Sequence, residues 1–131
     1  MEVDVRLLFA AFLAAHGVAH LVGFLGSWGW LASAQVSQRT SILLGRVDLG
    51  PVGIRVFGVV WLLLAVGFLI GGWGVAVSQV GVGRWLVAVA SVSLVACVLA
   101  WPDARIGVAV NAIVLTVVTF GAGGGWLGLG L

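Results

Sequence analysis

The sequence predicts an all-α fold, an integral membrane bundle of four transmembrane helices, and two observations lead to it. The first is composition: 63% of the 131 residues are hydrophobic, 8% are charged, and the mean hydropathy is +1.28, whereas soluble domains carry about 25% charged residues. The second is the arrangement of the apolar residues in four runs, near residues 7–30, 51–77, 84–101 and 104–120. Because about 20 apolar residues cross the hydrocarbon core of a bilayer, we expect a single multi-pass transmembrane domain in the cell membrane.

The first apolar run, residues 7–30, carries both histidines of the chain. No charged residue lies between Arg6 and Arg39, so His16 and His20 are expected inside the membrane. They are four residues apart, which places them on one face of a helix. An ionisable side chain within a span is rare, and it is a candidate functional residue by default.

His16, His20 and Asn111 are the candidates for binding a ligand or cofactor, and three interpretations of them stay open. In the first, neutral histidines only hydrogen-bond to Asn111, Ser93 or backbone atoms of a neighbouring helix, at about 0.6 kcal/mol each. In the second, they bind a quinone, a lipid or another small ligand. In the third, they serve a metal, a haem or proton transfer, although a zinc site needs three or four ligands. One helix face cannot flank a haem iron from both sides, so a haem would have to be shared across a dimer.

The connections between the runs set the expected order of the helices. Residues 31–50 form the one substantial loop. In the second span Gly67 and Gly71 make a GxxxG pair, which predicts close packing against another helix. Trp101 and Pro102 end the third span. So few residues separate the third span from the fourth that these helices are expected to be antiparallel neighbours.

The few charged residues exclude a nucleic-acid partner and predict an orientation. The six basic residues are all arginines scattered along the chain, whereas binding of DNA or RNA needs a clustered basic surface. More arginines lie on the side of the first and third loops than on the side of the termini, which places both termini outside the cytoplasm. Salt bridges of an interfacial polar cluster are expected to join the long loop to the turn between the third and fourth spans; its members are Arg46, Asp48, Arg55, Asp103 and Arg105.

Several segments of the chain resemble a family of small bacterial four-helix membrane proteins of unassigned function. They are HGVAHLVGF, RTSILLGRVDLG, RVFGVVWLLLA and, most specifically, the block WPDARIGVAVN from Trp101 to Asn111. The chain is also remotely similar to DoxX-like membrane proteins, which are linked to redox partners and quinones. The first resemblance implies the architecture and no activity, and the second implies no site residue.

The motifs of the chain give no enzymatic mechanism. The sequence has no phosphate-binding loop, no nucleophile elbow and no zincin helix. We therefore expect an accessory or interaction subunit of a membrane assembly, surrounded by the lipid bilayer and associated with another membrane protein or with further copies of itself. The alternative is a membrane protein that binds a small ligand or redox cofactor through His16 and His20.

Overall fold

The computed structural model describes residues 4–31 and 40–123, the last two by their backbone alone. Residues 1–3, 32–39 and 124–131 lie outside this description, and with them most of the first half of the predicted loop. The elements in chain order are α1 (Val5–Ser27), β1 (Ser41–Ile42), β2 (Val47–Asp48), α2 (Gly50–Ala76), α3 (Val82–Leu99) and α4 (Arg105–Gly123). The prediction of an all-helical bundle of four long helices is confirmed.

Local sequence signals account for where the helices begin. The side chain of Asp4 accepts a hydrogen bond of 3.0 Å from the backbone N–H of Arg6, which caps α1. Pro51 lies in the first turn of α2, where a missing N–H costs no helical hydrogen bond. Gly81, with a φ of 79°, turns the chain into α3. The short connections make α2, α3 and α4 successive antiparallel neighbours.

Three of the four helices are long and apolar enough to cross a membrane. They are α1, α2 and α3, with mean hydropathies of 1.9, 2.3 and 2.1 over their best windows. The described part of α4 is a shorter apolar helix, Arg105–Gly121. Large apolar side chains are exposed along the outside of the bundle, among them Leu63, Ile70, Val95 and Ile113.

Glycines allow the helices to approach one another closely. A Cβ atom on Gly17 of α1 would lie 2.9 Å from the carbonyl oxygen of Ala65, and one on Gly72 of α2 would lie 2.9 Å from that of Ala10. These contacts bring the backbones of α1 and α2 together at two levels. Neither glycine is distinguished in the sequence, because a chain with 21 glycines offers many such spacings.

The predicted packing glycines, Gly67 and Gly71, are buried against α3 of the same chain. A Cβ atom on Gly67 would lie 3.1 Å from the side chain of Val89, and one on Gly71 would overlap the side chain of Leu86. Trp85 of α3 also donates a hydrogen bond of 2.9 Å from Nε1 to the carbonyl oxygen of Gly67. These glycines therefore serve a contact within the protomer.

A small β-hairpin occupies the second half of the loop predicted over residues 31–50. Ser41 pairs with Asp48 and Ile42 with Val47 in antiparallel register. The backbone N–H of Leu43, at the hairpin turn, donates a hydrogen bond of 2.8 Å to the carbonyl oxygen of Leu99. The hairpin is thereby attached to the end of α3.

Candidate functional site

A cavity of about 580 Å³ lies between α1 and α4, at the end of the bundle where the hairpin sits. All four helices and the hairpin contribute residues to its walls. The part of the cavity farther from the hairpin is lined by His16, His20, Gly23, Trp61, Cys97, Gly107 and Val110. The part nearer the hairpin is lined by Trp28, Ile42, Ile54, Arg55, Trp101 and Asp103.

His20 is held by two hydrogen bonds that fix its tautomer. Its Nδ1 lies 2.9 Å from the carbonyl oxygen of His16, one turn earlier in α1. A carbonyl oxygen only accepts, so Nδ1 carries the proton and donates. In the neutral ring Nε2 is then an acceptor, and it takes a hydrogen bond of 2.7 Å from the hydroxyl of Ser93 on α3.

Asn111 connects the other histidine to α4. Its Nδ2 donates a hydrogen bond of 2.8 Å to the carbonyl oxygen of Gly107, which fixes the orientation of the amide. The amide oxygen Oδ1 therefore faces His16, 3.4 Å from its Nε2. Since Oδ1 accepts, Nε2 of His16 donates. The polar groups thus link α1 to both α3 and α4 in the middle of the bundle.

Aromatic rings enclose the two imidazoles. The ring centroids of His16 and His20 lie 4.5 Å apart, nearly perpendicular. Phe68, with no exposed surface, is 4.7 Å from His16, and Trp61 is 5.4 Å from His20. Such packing fixes the ring positions in apolar surroundings, so any charge placed there would need a partner.

The structure supplies no ligand set for a metal in the part of the chain that it describes. No group of three or more His, Cys, Asp or Glu side chains is close enough there to hold an ion. Cys97 is buried beside Asn111, whose Nδ2 lies 3.6 Å from its Sγ. The quinone and haem interpretations of the histidines stay predictions.

The expected salt bridges of the interfacial polar cluster do not form, which corrects the sequence analysis. Residues 4–31 and 40–123 contain one ion pair, between Arg6 and Asp4, whose Nη2 and Oδ2 atoms lie 3.4 Å apart. All five members of the cluster are exposed to solvent, which weakens any ion pair they could make. The link between the loop and the α3–α4 turn is instead the backbone hydrogen bond from Leu43 to Leu99.

The members of this cluster have separate roles in the structure. Arg55 and Asp103 line the cavity, whereas Arg46, Asp48 and Arg105 do not. The guanidinium of Arg55 lies 6.0 Å from the ring of Trp28. Hydrogen bonds from Thr40 and from the backbone N–H of Gly50, the latter 3.0 Å long, lower the pKa of the Asp48 carboxyl.

Sequence reasoning missed several residues that complete the site. Trp61 supplies part of the cavity wall, and Trp28 lines the cavity with a buried Nε1 that has no hydrogen-bond partner in the described residues. Nothing in the spacing of these tryptophans distinguishes them from those of the interfacial belts. Ser93 was not missed, since it was among the expected partners of the histidines, and it shares one face of α3 with Cys97, four residues later.

Comparison of the chain with known proteins identifies no relative. No family model, no curated protein and no solved structure matches the chain. The resemblance of the Trp101–Asn111 block to small four-helix membrane proteins therefore stays a prediction.

Proposed function

We propose that the four helices span a membrane and that the protein binds a small amphipathic molecule in the cavity between α1 and α4. Two groups of exposed tryptophans support the membrane placement. Trp30 and Trp101 lie at the hairpin end of the bundle, and Trp73 and Trp85 at the other end. Tryptophan is enriched at both membrane interfaces, and 23 residues of α1 extend about 35 Å, enough to join them.

The observation that carries the proposed binding function is the position of His16 and His20 on the wall of a cavity of about 580 Å³. Ligand pockets typically have volumes of about 300 to 1,000 Å³, with apolar walls and a few polar groups that fix orientation. This cavity has that character: aromatic and aliphatic side chains line most of it. The two imidazoles supply its polar groups deep in the bundle.

The shape of the cavity indicates how such a molecule would lie. The histidines are near the middle of α1, and Arg55 and Asp103 are near the hairpin. A ligand with one polar group would place it against the histidines and its apolar body along Ile54, Phe57 and Trp61 of α2.

The role of an accessory or interaction subunit stays a prediction. Its docking surface was expected in the loop 31–50, of which residues 32–39 lie outside the described structure. No contact in the described residues identifies a partner, whereas the cavity is a specific feature of the fold. Ligand binding is therefore the function that the geometry supports best.

The test is to identify what the protein carries when it is purified gently from its native membrane into lipid nanodiscs. Mass spectrometry of the solvent extract, with optical spectra of the intact protein, should show one small molecule at near-stoichiometric amount. His16→Leu should reduce it at least tenfold, because the variant removes a polar group from the cavity wall. Thr119→Val, on the exposed outside of α4, is the control and should retain it.

An equal amount in wild type and both variants would assign the molecule to the surrounding lipid. Absence of any enriched molecule, together with no binding of added amphipathic probes, would contradict the proposed function. Circular dichroism and size exclusion of each variant separate loss of the ligand from loss of the fold.

A further inference from the structure

The hydrogen bonds of His16 leave one position on its ring open. Nε2 donates toward Asn111, so in the neutral imidazole Nδ1 carries a lone pair. Among residues 4–31 and 40–123, Nδ1 has no hydrogen-bond partner. Two side-chain atoms in this part of the chain are fully buried and lack a hydrogen-bond partner, Nε of Arg6 and Nε1 of Trp28. Nδ1 of His16 is not one of them, so it is not fully buried. An acceptor is therefore available on a residue that lines the cavity.

The neutral form of His16 follows from its surroundings. The neighbouring ring is His20, 4.5 Å away between centroids, and a second positive charge there would be repelled. Asp103 is the one carboxylate among the described residues that line the cavity, and it precedes α4, at the end of the bundle where the hairpin lies. A buried unpaired charge is costly, so His16 offers a lone pair at Nδ1 and no second donor.

The walls beside the histidines suit a flat apolar body. Trp61 and Phe57 of α2 line the cavity, their rings nearly perpendicular and 5.6 Å apart. Trp28 and Trp101 line it nearer the hairpin. Rings packed against such walls gain contact area and favourable edge-to-face geometry.

We propose that the cavity selects molecules that carry a hydroxyl group on an apolar ring, with the hydroxyl donating to Nδ1 of His16. This inference rests on the proposed function. It specifies the ligand class, because a ketone or an ether of the same shape brings only an acceptor to a position that is already an acceptor. An unmatched acceptor pair in an apolar site forfeits the hydrogen bond and the solvation of both groups.

The experiment compares 4-hexylphenol with its methyl ether, 4-hexylanisole, in which a methyl group replaces the donor hydrogen. Each is titrated into the full chain in nanodiscs, with tryptophan fluorescence as the readout, and empty nanodiscs correct for partitioning into lipid. A net hydrogen bond of about 1 kcal/mol makes the phenol about fivefold tighter in the wild type. In His16→Gln, which retains an N–H for Asn111 and loses the Nδ1 acceptor, the ratio of the two dissociation constants should fall to about one.

His16→Asn is the complementary variant, because the amide oxygen of the new asparagine lies near the position of Nδ1. We expect this variant to retain the preference for the phenol. Equal binding of both probes to the wild type would overturn the inference and leave the proposed function standing. An unchanged preference for the phenol in His16→Gln would also overturn the inference, because a group other than Nδ1 of His16 would then accept the hydrogen bond from the hydroxyl. Failure of both probes to bind the wild type would contradict the inference and the proposed function together.

Discussion

The hydroxyl of Ser93 lies 2.7 Å from Nε2 of His20, and this contact joins the first helix of the bundle to the third. Both side chains are buried, Ser93 completely. Because both partners are buried, the hydrogen bond fixes the ring of His20 relative to α3. The other ring nitrogen, Nδ1 of His20, donates a hydrogen bond to the backbone carbonyl oxygen of His16, so both nitrogens of this ring are engaged.

Ser93→Ala should therefore destabilise the bundle. Hydrogen bonds between membrane helices contribute about 0.6 kcal/mol on average and up to about 1.7 kcal/mol, and we expect a loss of free energy of unfolding within that range. Reversible unfolding in mixed micelles measures it. Ser91→Ala, an exposed position on the same helix, is the matched control and should change little. Equal effects of the two variants would show that the Ser93 hydroxyl contributes nothing specific.

Gly71→Leu should destabilise the protein without changing its oligomeric state. The new side chain would overlap Leu86 of the same chain and lie against Trp85, and overpacking of this kind costs about 1 to 3 kcal/mol. Unfolding in micelles and the elution volume on size exclusion give the two readouts. Ile70→Leu, a volume-conserving change at the exposed neighbouring position, is the control. An altered oligomeric state at unchanged stability would mean that this face of α2 meets another protomer.

Gly17→Ala should also destabilise the bundle, even though alanine favours a helix more than glycine does. Its Cβ would lie 2.9 Å from the backbone carbonyl oxygen of Ala65 and 3.1 Å from Cβ of Phe68. Neither atom can rotate away, so α1 would have to move from α2, at a cost of about 1 to 3 kcal/mol. Val18→Ala, at the exposed next position, controls for other effects on α1. A Gly17→Ala variant with a higher free energy of unfolding than the wild type would contradict the close contact between α1 and α2.

The helices could be predicted from the sequence, whereas the cavity could not. Hydropathy and the Gly and Pro breaks predicted the four helices, since each depends on local residues. The shared face of His16 and His20 followed from their spacing, and Asn111 was among their expected partners. The cavity depends on which helices pack together, and no local pattern carries that information. The hairpin strands, two residues each, are too short to give an alternating pattern.

The hairpin should weaken at low pH. Hydrogen bonds from Thr40 and the N–H of Gly50 lower the pKa of the Asp48 carboxyl, so the folded hairpin favours the ionised form. The stabilisation is complete above the pKa of the unfolded chain, and it is lost as the pH falls through the lowered folded value. The amide chemical shift of Gly50, followed by NMR during acidification, should report this transition. Thr40→Val should move its midpoint to higher pH, and an unmoved midpoint would exclude the Thr40 contact.

Filling the cavity from α1 should abolish ligand binding and leave the fold intact. Ala19 lines the cavity and is an exposed residue, so the ring in Ala19→Phe would occupy space needed by the ligand. Ala15, one turn earlier on the same helix, is also exposed but does not line the cavity, which makes Ala15→Phe a matched control. We expect Ala19→Phe to bind 4-hexylphenol at least tenfold more weakly and Ala15→Phe to bind it as the wild type does. Equal binding by both variants would place the probe outside the cavity, and equal loss would show that added bulk on α1 acts through the fold.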